Sequence, residues 1–412
     1  MRVLHISTSD SGGAGIAALR THIALLESGT KSKFLCLYKS TTSVPEVYQF
    51  HKSNKRSLKK EILNRFGLKL PNAVLNKRSI IGRKGEYEIF TFPRTDLRVH
   101  DHKLVKEADI IQLHWIADFI DYPSFFANIN KPIVWTLHDM NPFQGGFHYL
   151  NDKETNSVIW SDIENDFIKL KKESVDMVPN LHVVTPSNWL GESAKRSTIF
   201  RDRPIHGNFY YGIDFEVFKP IKQEIACEIL GIPVDGIKIL FSADNLLNKR
   251  KGFDLLLAAL DLLDKNLKLT LITIGSTFNN QVLSHFTCYN LGLIKDERLI
   301  NIIYNAADCF VLPSREDNFP NVMLEALACG LPIISFPVGG MAEVIQTGEN
   351  GILAKDLTPE SLAEAIQGFI ENKYFFQSEK IRAEAMSLFN KKRHAKKYLN
   401  LYNEMLTSIN CP

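Results

Sequence analysis

The sequence predicts an α/β protein built from two doubly wound domains, and three observations predict it. A chain of 412 residues is long enough for two or three domains with sizeable cores. Short apolar runs at 2–7, 33–38, 108–114, 133–137 and 182–185 alternate with stretches of helical periodicity, the pattern of a parallel sheet with helical crossovers. The alternation then starts again, with strand-like runs at 238–242, 269–275, 290–293, 308–312 and 333–336.

The first run leads into Gly12-Gly13-Ala14-Gly15, which opens a helix carrying Ile16, Leu19, Ile23 and Leu26 on one face. Gly13-x-Gly15-x-x-Ala18 formally fits a dinucleotide fingerprint. That fingerprint needs a carboxylate at the end of the second strand, and the run here ends in Tyr38-Lys39, which argues against NAD. The third and fourth runs end in His114-Trp115 and His138-Asp139. Two histidines at one sheet edge suit a site better than a core. Ser187 is placed to cap the helix that follows the fifth run.

In the second half, the run 309–312 stops at Pro313, and a polar acidic loop, Ser314 to Phe319, leads to a short helix from Pro320 to Gly330. Proline is tolerated in a first helical turn, and glycine suits the left-handed conformation past a helix end. Val322, Leu324 and Leu327 read as the buried face of that helix, which leaves Glu325 unexplained by packing. Asp317 and Glu325 therefore flank a helix N-terminus at the C-terminal edge of a parallel sheet, where open α/β folds bind ligands and anions. Helices are expected at 359–372 and over about 382–409.

The stretch from Pro313 to Pro332 resembles the signature of retaining glycosyltransferases of family 4: Pro-Ser, an acid, an aromatic turn, a second acid eight positions on, then Ala-x-Ala-Cys-Gly-x-Pro. The first acid is Asp317 where the family usually has Glu, and Pro320 stands where the family has Gly, so one donor-contacting amide is lost. Lys251-Gly252-Phe253-Asp254 resembles the family's phosphate-binding lysine, and Tyr211-Gly212-Ile213-Asp214 its interdomain linker. The family's additional Arg is absent at 245 and 246, which makes Arg250 the candidate replacement. Leu-His-Trp-Ile at 113–116 and His138-Asp139 with Gly145-Gly146-x-His148-Tyr149 resemble a subgroup that builds bacterial surface polysaccharides, without the cysteines often found after the His-Tyr.

The resemblance implies a GT-B fold, two facing doubly wound domains with the donor in an interdomain cleft. It implies domains at 1–212, joined by a last helix at about 390–412, and at 213–389. It also implies sugar transfer from a nucleotide-diphosphate donor with retention, needing neither metal nor cofactor. His138, Asp317 and Lys251 would be the catalytic residues, with His138 and Asp317 on the sugar and Lys251 on the diphosphate. The donor would further be held by Gly12, Gly13, Arg250, the backbone at Gly292, the amides of Asn321 and Val322, and Glu325 on the ribose. Two rivals are an epimerase acting on the nucleotide sugar itself and a catalytically idle binding subunit.

Hydrophobic residues at 45% and charged ones at 23% are ordinary for a soluble globular protein, and no run of 18 uncharged apolar residues occurs. The apolar run after Met1 is too short for a signal peptide, and six scattered cysteines suit reduced thiols, so a cytoplasmic protein is expected. Between His51 and Lys84, eleven Lys or Arg face the single acid Glu61; this +10 segment leaves −7 for the rest of a chain of net +3. A helix from Ser57 to Gly67, with Leu58, Ile62 and Phe66 on one face, reads equally as a solvated helix packed on its domain or as one lying on the inner face of an anionic membrane, where a lipid-linked glycan could be the acceptor. The segment offers no aromatic platform for nucleic acid.

Overall fold

The chain divides into two compact units in a computed structural model that describes residues 1–52, 70–276 and 286–410. The first unit is Met1–Phe209 with Lys392–Pro412, and the second is Tyr210–Lys391, a few residues from the expected 212/213 and 389/390 boundaries. The basic helix expected around Leu58, Ile62 and Phe66 lies outside the described residues.

Among the described residues the first unit holds a seven-stranded parallel sheet: β1 (Arg2–Ser9), β2 (Lys31–Tyr38), β3 (Val47–Gln49), β4 (Ile110–Leu113), β5 (Ile133–Thr136), β6 (Leu181–Val184) and β7 (Ile205–His206). Their order is β3-β2-β1-β4-β5-β6-β7, so the winding reverses between β1 and β4. The second unit repeats the plan with β8 (Ile237–Ser242), β9 (Leu269–Ile274), β10 (Thr287–Asn290), β11 (Cys309–Leu312), β12 (Ile333–Ser335) and β13 (Gly351–Leu353), ordered β10-β9-β8-β11-β12-β13. Here the reversal falls between β8 and β11. Central strands such as Ile133–Thr136 and Cys309–Leu312 are buried at every position, because helices cover both faces of a parallel sheet.

Two expectations fail locally. The strand expected at 290–293 is Thr287–Asn290; beyond it the chain turns at Gly292, whose φ is +74°. The helix expected over 382–409 is two helices, Ser378–Phe389 and Lys391–Asn410. They part at Asn390, whose backbone is extended and bridges to Ile213, while the Ile213 amide donates to the Phe389 carbonyl at 2.8 Å. Helical periodicity continues across the break, so the apolar pattern gives no sign of it.

The last helix packs Tyr398, Leu401, Tyr402 and Met405 on Val3, Val134 and Val184 of the first sheet. The Tyr402 hydroxyl donates to Gln112 Oε1 at 2.8 Å, Gln112 Nε2 donates to Thr136 Oγ1 at 2.7 Å, and Thr136 Oγ1 lies 2.8 Å from the Tyr398 hydroxyl. This satisfied buried network fixes the register of the helix as well as its attachment.

Candidate active site

At the reversal point of the second sheet, the loops after β8 and β11 are joined by hydrogen bonds. Lys249–Lys251 forms one helical turn capped by Asn248, whose side chain accepts from the Arg250 amide. The chain then turns at Gly252, with φ +73°, into the helix Phe253–Leu262. The Arg315 amide donates to the Arg250 carbonyl at 2.8 Å, Arg250 Nη1 donates to the Glu316 carbonyl at 3.0 Å, and the Arg315 guanidinium is bidentate on Asp254 at 2.8 and 2.7 Å. The two loops therefore act as one unit.

Gly252 permits this approach, since a Cβ there would lie 1.8 Å from the Pro313 carbonyl oxygen. We expect Gly252→Ala to cost about 2–4 kcal/mol, from an unfavourable left-handed φ plus forced backbone displacement. Denaturant unfolding of the variant checks this; an unchanged midpoint would mean the loops yield freely.

The zipped loops bring three expected residues together. Lys251 Nζ lies 2.6 Å from Asp317 Oδ2, and Arg250 Nη1 lies 3.5 Å from the same oxygen. Burial alone would raise the Asp317 carboxyl, yet the Lys251 ammonium and the Arg250 guanidinium more than offset it and hold the group below the usual carboxylate range. Asp317 is thus an anion facing two cations.

Behind it, a Cβ at Gly339 would lie 1.8 Å from the Asp317 carbonyl oxygen, and the Gly340 amide donates to the Asn318 carbonyl at 2.6 Å. Phe319 is buried and stacks on Tyr210 at 5.2 Å, fixing the turn that starts the helix Asn321–Ala328. Asn321 and Val322 are its first two residues, and their amides belong to the first turn, where the helix supplies no carbonyl partner. Glu325 lies one turn on, buried, and accepts from the Tyr304 hydroxyl at 3.0 Å. The helix ends as expected at Gly330, with φ +77°.

Gly292 sits in the loop after β10, and its own polar groups are engaged: the amide donates to Asn290 Oδ1 at 2.9 Å and the carbonyl accepts from the Gly275 amide at 2.9 Å. A base held at Gly292 would have to use the second lone pair of that carbonyl.

In the first unit, the helix Gly12–Glu27 starts after β1, and a Cβ at Gly12 or Gly13 would meet nothing within 4 Å. The glycine that packing requires is Gly15, where a Cβ would lie 2.7 Å from the Ser9 carbonyl oxygen. The Ser187 hydroxyl accepts from the Leu190 amide at 3.1 Å and so caps its helix. His138 follows β5; burial pushes its imidazole down to about 4 against the opposing Asp139 carboxylate, so the ring is neutral at physiological pH. His148 lies buried with both ring nitrogens engaged, Nδ1 at 2.6 Å from Asp139 Oδ2 and Nε2 at 2.9 Å from Thr91 Oγ1.

Residues 237–372 match the family model described as glycosyl transferases group 1. That segment, about a third of the chain, is similar to the group 1 glycosyltransferases. A D-inositol 3-phosphate glycosyltransferase from Catenulispora acidiphila is 29% identical over 177 residues, 39% of this chain and 41% of the relative, so the chain matches about two fifths of that relative's length. Among solved structures, sucrose-phosphate synthase from Thermosynechococcus elongatus superposes with a TM-score of 0.69 at 17% identity, covering 99% of this chain and 100% of that one. Anabaena HepE in complex with UDP and glucose gives 0.66 at 16% identity, covering 98% and 99%. These likenesses show the fold: the two-domain α/β architecture of GT-B proteins.

The segment that matches the family model contains Arg250, Lys251, Gly292, Asp317, Asn321, Val322 and Glu325, and the structure joins the first two to Asp317. Gly12, Gly13 and His138 belong to the other unit. Sequence reasoning missed Tyr304, which orients the Glu325 carboxylate, and Arg315, which ties the lysine loop to the acidic loop. Arg315 lies inside the quoted signature and could have been weighed there. Tyr304 sits 21 residues before its partner, on a different helix, and no local pattern signals the pair.

Proposed function

We propose that the chain is a retaining glycosyltransferase that moves a sugar from a nucleoside-diphosphate sugar to an acceptor hydroxyl. We further propose a lipid-linked glycan as acceptor, in surface polysaccharide assembly at the inner face of the cytoplasmic membrane. The observation that carries the enzyme reading is the cluster of Lys251, Arg250 and Asp317 at the reversal point of the second sheet, within the group 1 segment. Two cations held on one part-buried carboxylate form a preorganised positive site, which a diphosphate would occupy by taking Lys251 from Asp317. Asp317 would then accept from a sugar hydroxyl.

As the glycosidic C–O bond breaks, its electron pair goes to the diphosphate oxygen, where Lys251 and the amides of Asn321 and Val322 offset the growing charge. The acceptor oxygen bonds to the same face of the sugar carbon and gives its proton to the leaving phosphate, so configuration is retained. Glu325, oriented by Tyr304, accepts from the ribose hydroxyls. The UDP in the HepE structure makes uridine the first base to try.

The test incubates the purified chain with labelled UDP-, GDP- and ADP-sugars, with and without EDTA. We expect nucleoside diphosphate release from one donor, unchanged by the chelator, since the acids of the site serve hydroxyl groups. Activity abolished by EDTA and restored by magnesium overturns the metal-free mechanism. Conversion of the donor to an epimer supports the epimerase, and no turnover of any donor supports an idle binding subunit.

The membrane reading rests on the +10 segment 51–84, half of which lies outside the described residues. Among the described residues no helix is long and apolar enough to cross a membrane. Each Lys or Arg near an anionic leaflet contributes about 1 kcal/mol, within a Debye length of about 8 Å. The chain should float with anionic liposomes at low salt and dissociate at high salt. Replacing Lys55, Arg56, Lys59 and Lys60 by Gln should abolish flotation; equal flotation of that variant overturns the reading.

A further inference from the structure

Four aspartates stand in the loops that leave the C-terminal ends of β1, β4 and β5, and one of them is unlike the others. Asp10 accepts from the Ser40 amide on Oδ1 and from the Thr41 amide on Oδ2, each at 2.8 Å. Asp121 accepts from Asn72 Nδ2 on Oδ1 and from the Ser124 amide on Oδ2, each at 3.1 Å. Asp139 takes the Asn141 amide on Oδ1 at 3.0 Å and the Trp115 indole on Oδ2 at 2.8 Å. Asp118 spends only Oδ1, on the Phe92 amide at 3.0 Å, and its Oδ2 has no hydrogen-bond partner among the described residues.

The backbone of Asp118 is unusual as well. At φ +55° it sits in the left-handed region, which disfavours every residue but glycine, Asp less than most. Strained positions of this kind gather at ligand sites. The residue is exposed, yet the atoms packed about its carboxyl raise it above its ordinary value, against the Phe92 amide and the charges of His148 and Lys171. A group that solvent reaches and protein crowds lies in a recess and not on a convex face.

The surroundings narrow the ligand. Asp118 follows β4, where the winding of the first sheet reverses, the place at which open α/β sheets take ligands. Three residues earlier, Trp115 is partly exposed, with its indole N–H held by Asp139 and its ring 5.3 Å from His148. The same histidine faces the charge of Asp118 and pairs with Thr91, the neighbour of the Phe92 that pins Asp118. An unspent carboxylate oxygen and a fixed aromatic ring on one loop suit a sugar, whose hydroxyls donate and whose C–H faces are apolar. Among the described residues no group of three metal-ligating side chains occurs, so a metal ion fits the loop less well.

We propose that Asp118 and Trp115 form an acceptor-sugar subsite, in which Asp118 Oδ2 accepts from a sugar hydroxyl and so selects an uncharged ring. The proposal rests on the glycosyltransferase reading above and sharpens its acceptor. A carboxylate repels other anions, so the end of the acceptor bound here is a neutral sugar and not a sugar phosphate or a uronic acid.

The test is saturation-transfer NMR of the full chain at neutral pH. The neutral probes are the methyl glycosides of glucose, galactose, mannose and N-acetylglucosamine; the charged probes are glucose 6-phosphate and methyl glucuronide. At least one neutral glycoside should bind, and both charged sugars should bind more weakly. Asp118→Asn keeps an oxygen for the Phe92 amide and tolerates the left-handed backbone, so the fold survives while the charge at Oδ2 is lost. In that variant the dissociation constant of the neutral glycoside should rise about tenfold or more, the scale of one hydrogen bond to a charged group. Discrimination against the charged sugars should fall with it, which a merely structural Asp118 would not produce. No neutral glycoside bound, charged sugars bound as tightly, or an Asn variant that binds like wild type overturns the subsite. Donor turnover alongside such an Asn variant leaves the glycosyltransferase reading standing without the subsite. The expected losses in a chain that turns over no donor support the subsite and sink the glycosyltransferase reading instead.

Discussion

Lys251→Ala is expected to lower turnover by about two to three orders of magnitude, the cost of removing one preorganised stabiliser of developing charge, roughly 3–4 kcal/mol. The Lys251 side chain is partly exposed, so its loss opens no core cavity, and Arg250 remains 3.5 Å from Asp317 to keep that carboxylate paired. The loss should therefore appear in kcat with folding intact. Glu325 needs a different variant, because it is buried and accepts from Tyr304. Glu325→Ala would strand a buried hydroxyl, whereas Glu325→Gln keeps the volume and an acceptor. It should raise KM for the donor about ten- to a hundredfold, the scale of one or two charge-assisted hydrogen bonds. Steady-state kinetics on circular-dichroism-matched samples decides both. Near-full activity in Lys251→Ala would show that the cluster at the reversal point is an internal ion pair and nothing more.

That outcome matters because the sequence and the structure assign Lys251 and Asp317 differently. From the sequence, each was given its own part of the donor. In the fold they bind each other, since the zipped loops leave an ammonium and a carboxylate 2.6 Å apart. Local patterns show which residues stand at strand ends, and this sufficed for the alternation of strands and helices and for the acidic loop before the helix Asn321–Ala328. They do not show pairings set by tertiary approach. Arg250 with Asp317, Tyr304 with Glu325 and His5 with His114 each join segments 21 or more residues apart, and each depends on which strands are neighbours. The break at Asn390 was invisible for a related reason, as a bridge to Ile213, 177 residues earlier, interrupts a helix whose periodicity never falters. The zipped loops also show why Gly252 matters: it reads as one letter of a phosphate-binding run, yet its spatial role is to let the chain pass within contact of Pro313.

The stability of the first unit is expected to rise with pH from 7 toward 10, through Lys171. This lysine is fully buried in the helix Ser157–Asp176, and its Nζ donates to the Asn141 carbonyl at 2.6 Å and the Gln144 carbonyl at 2.9 Å. Burial pushes its ammonium down to about 7, and the carboxylates of Glu164, Asp139 and Asp118 only partly oppose that. The loop it supports, 139–148, is held by Glu164 as well, which accepts from the amides of Gly145, Gly146 and Phe147. In the unfolded chain the same lysine titrates near 10.4. Below about pH 7 both states bind the proton, and the folded state bears the full penalty of a buried charge. Between about 7 and 10 the unfolded state binds a proton that the folded state has released, so unfolding becomes harder as pH rises. Three pH units at 1.36 kcal/mol each set an upper bound of about 4 kcal/mol, of which about 2 should appear between pH 7 and 9. Lys171→Met removes the titration and loses the two carbonyl contacts at every pH alike. The stability difference between wild type and variant should therefore shift in favour of wild type by about 2 kcal/mol over that interval, read from denaturant midpoints at both pH values. A difference that stays flat would mean that Lys171 keeps its proton throughout, with Glu164, Asp139 and Asp118 supplying the compensation.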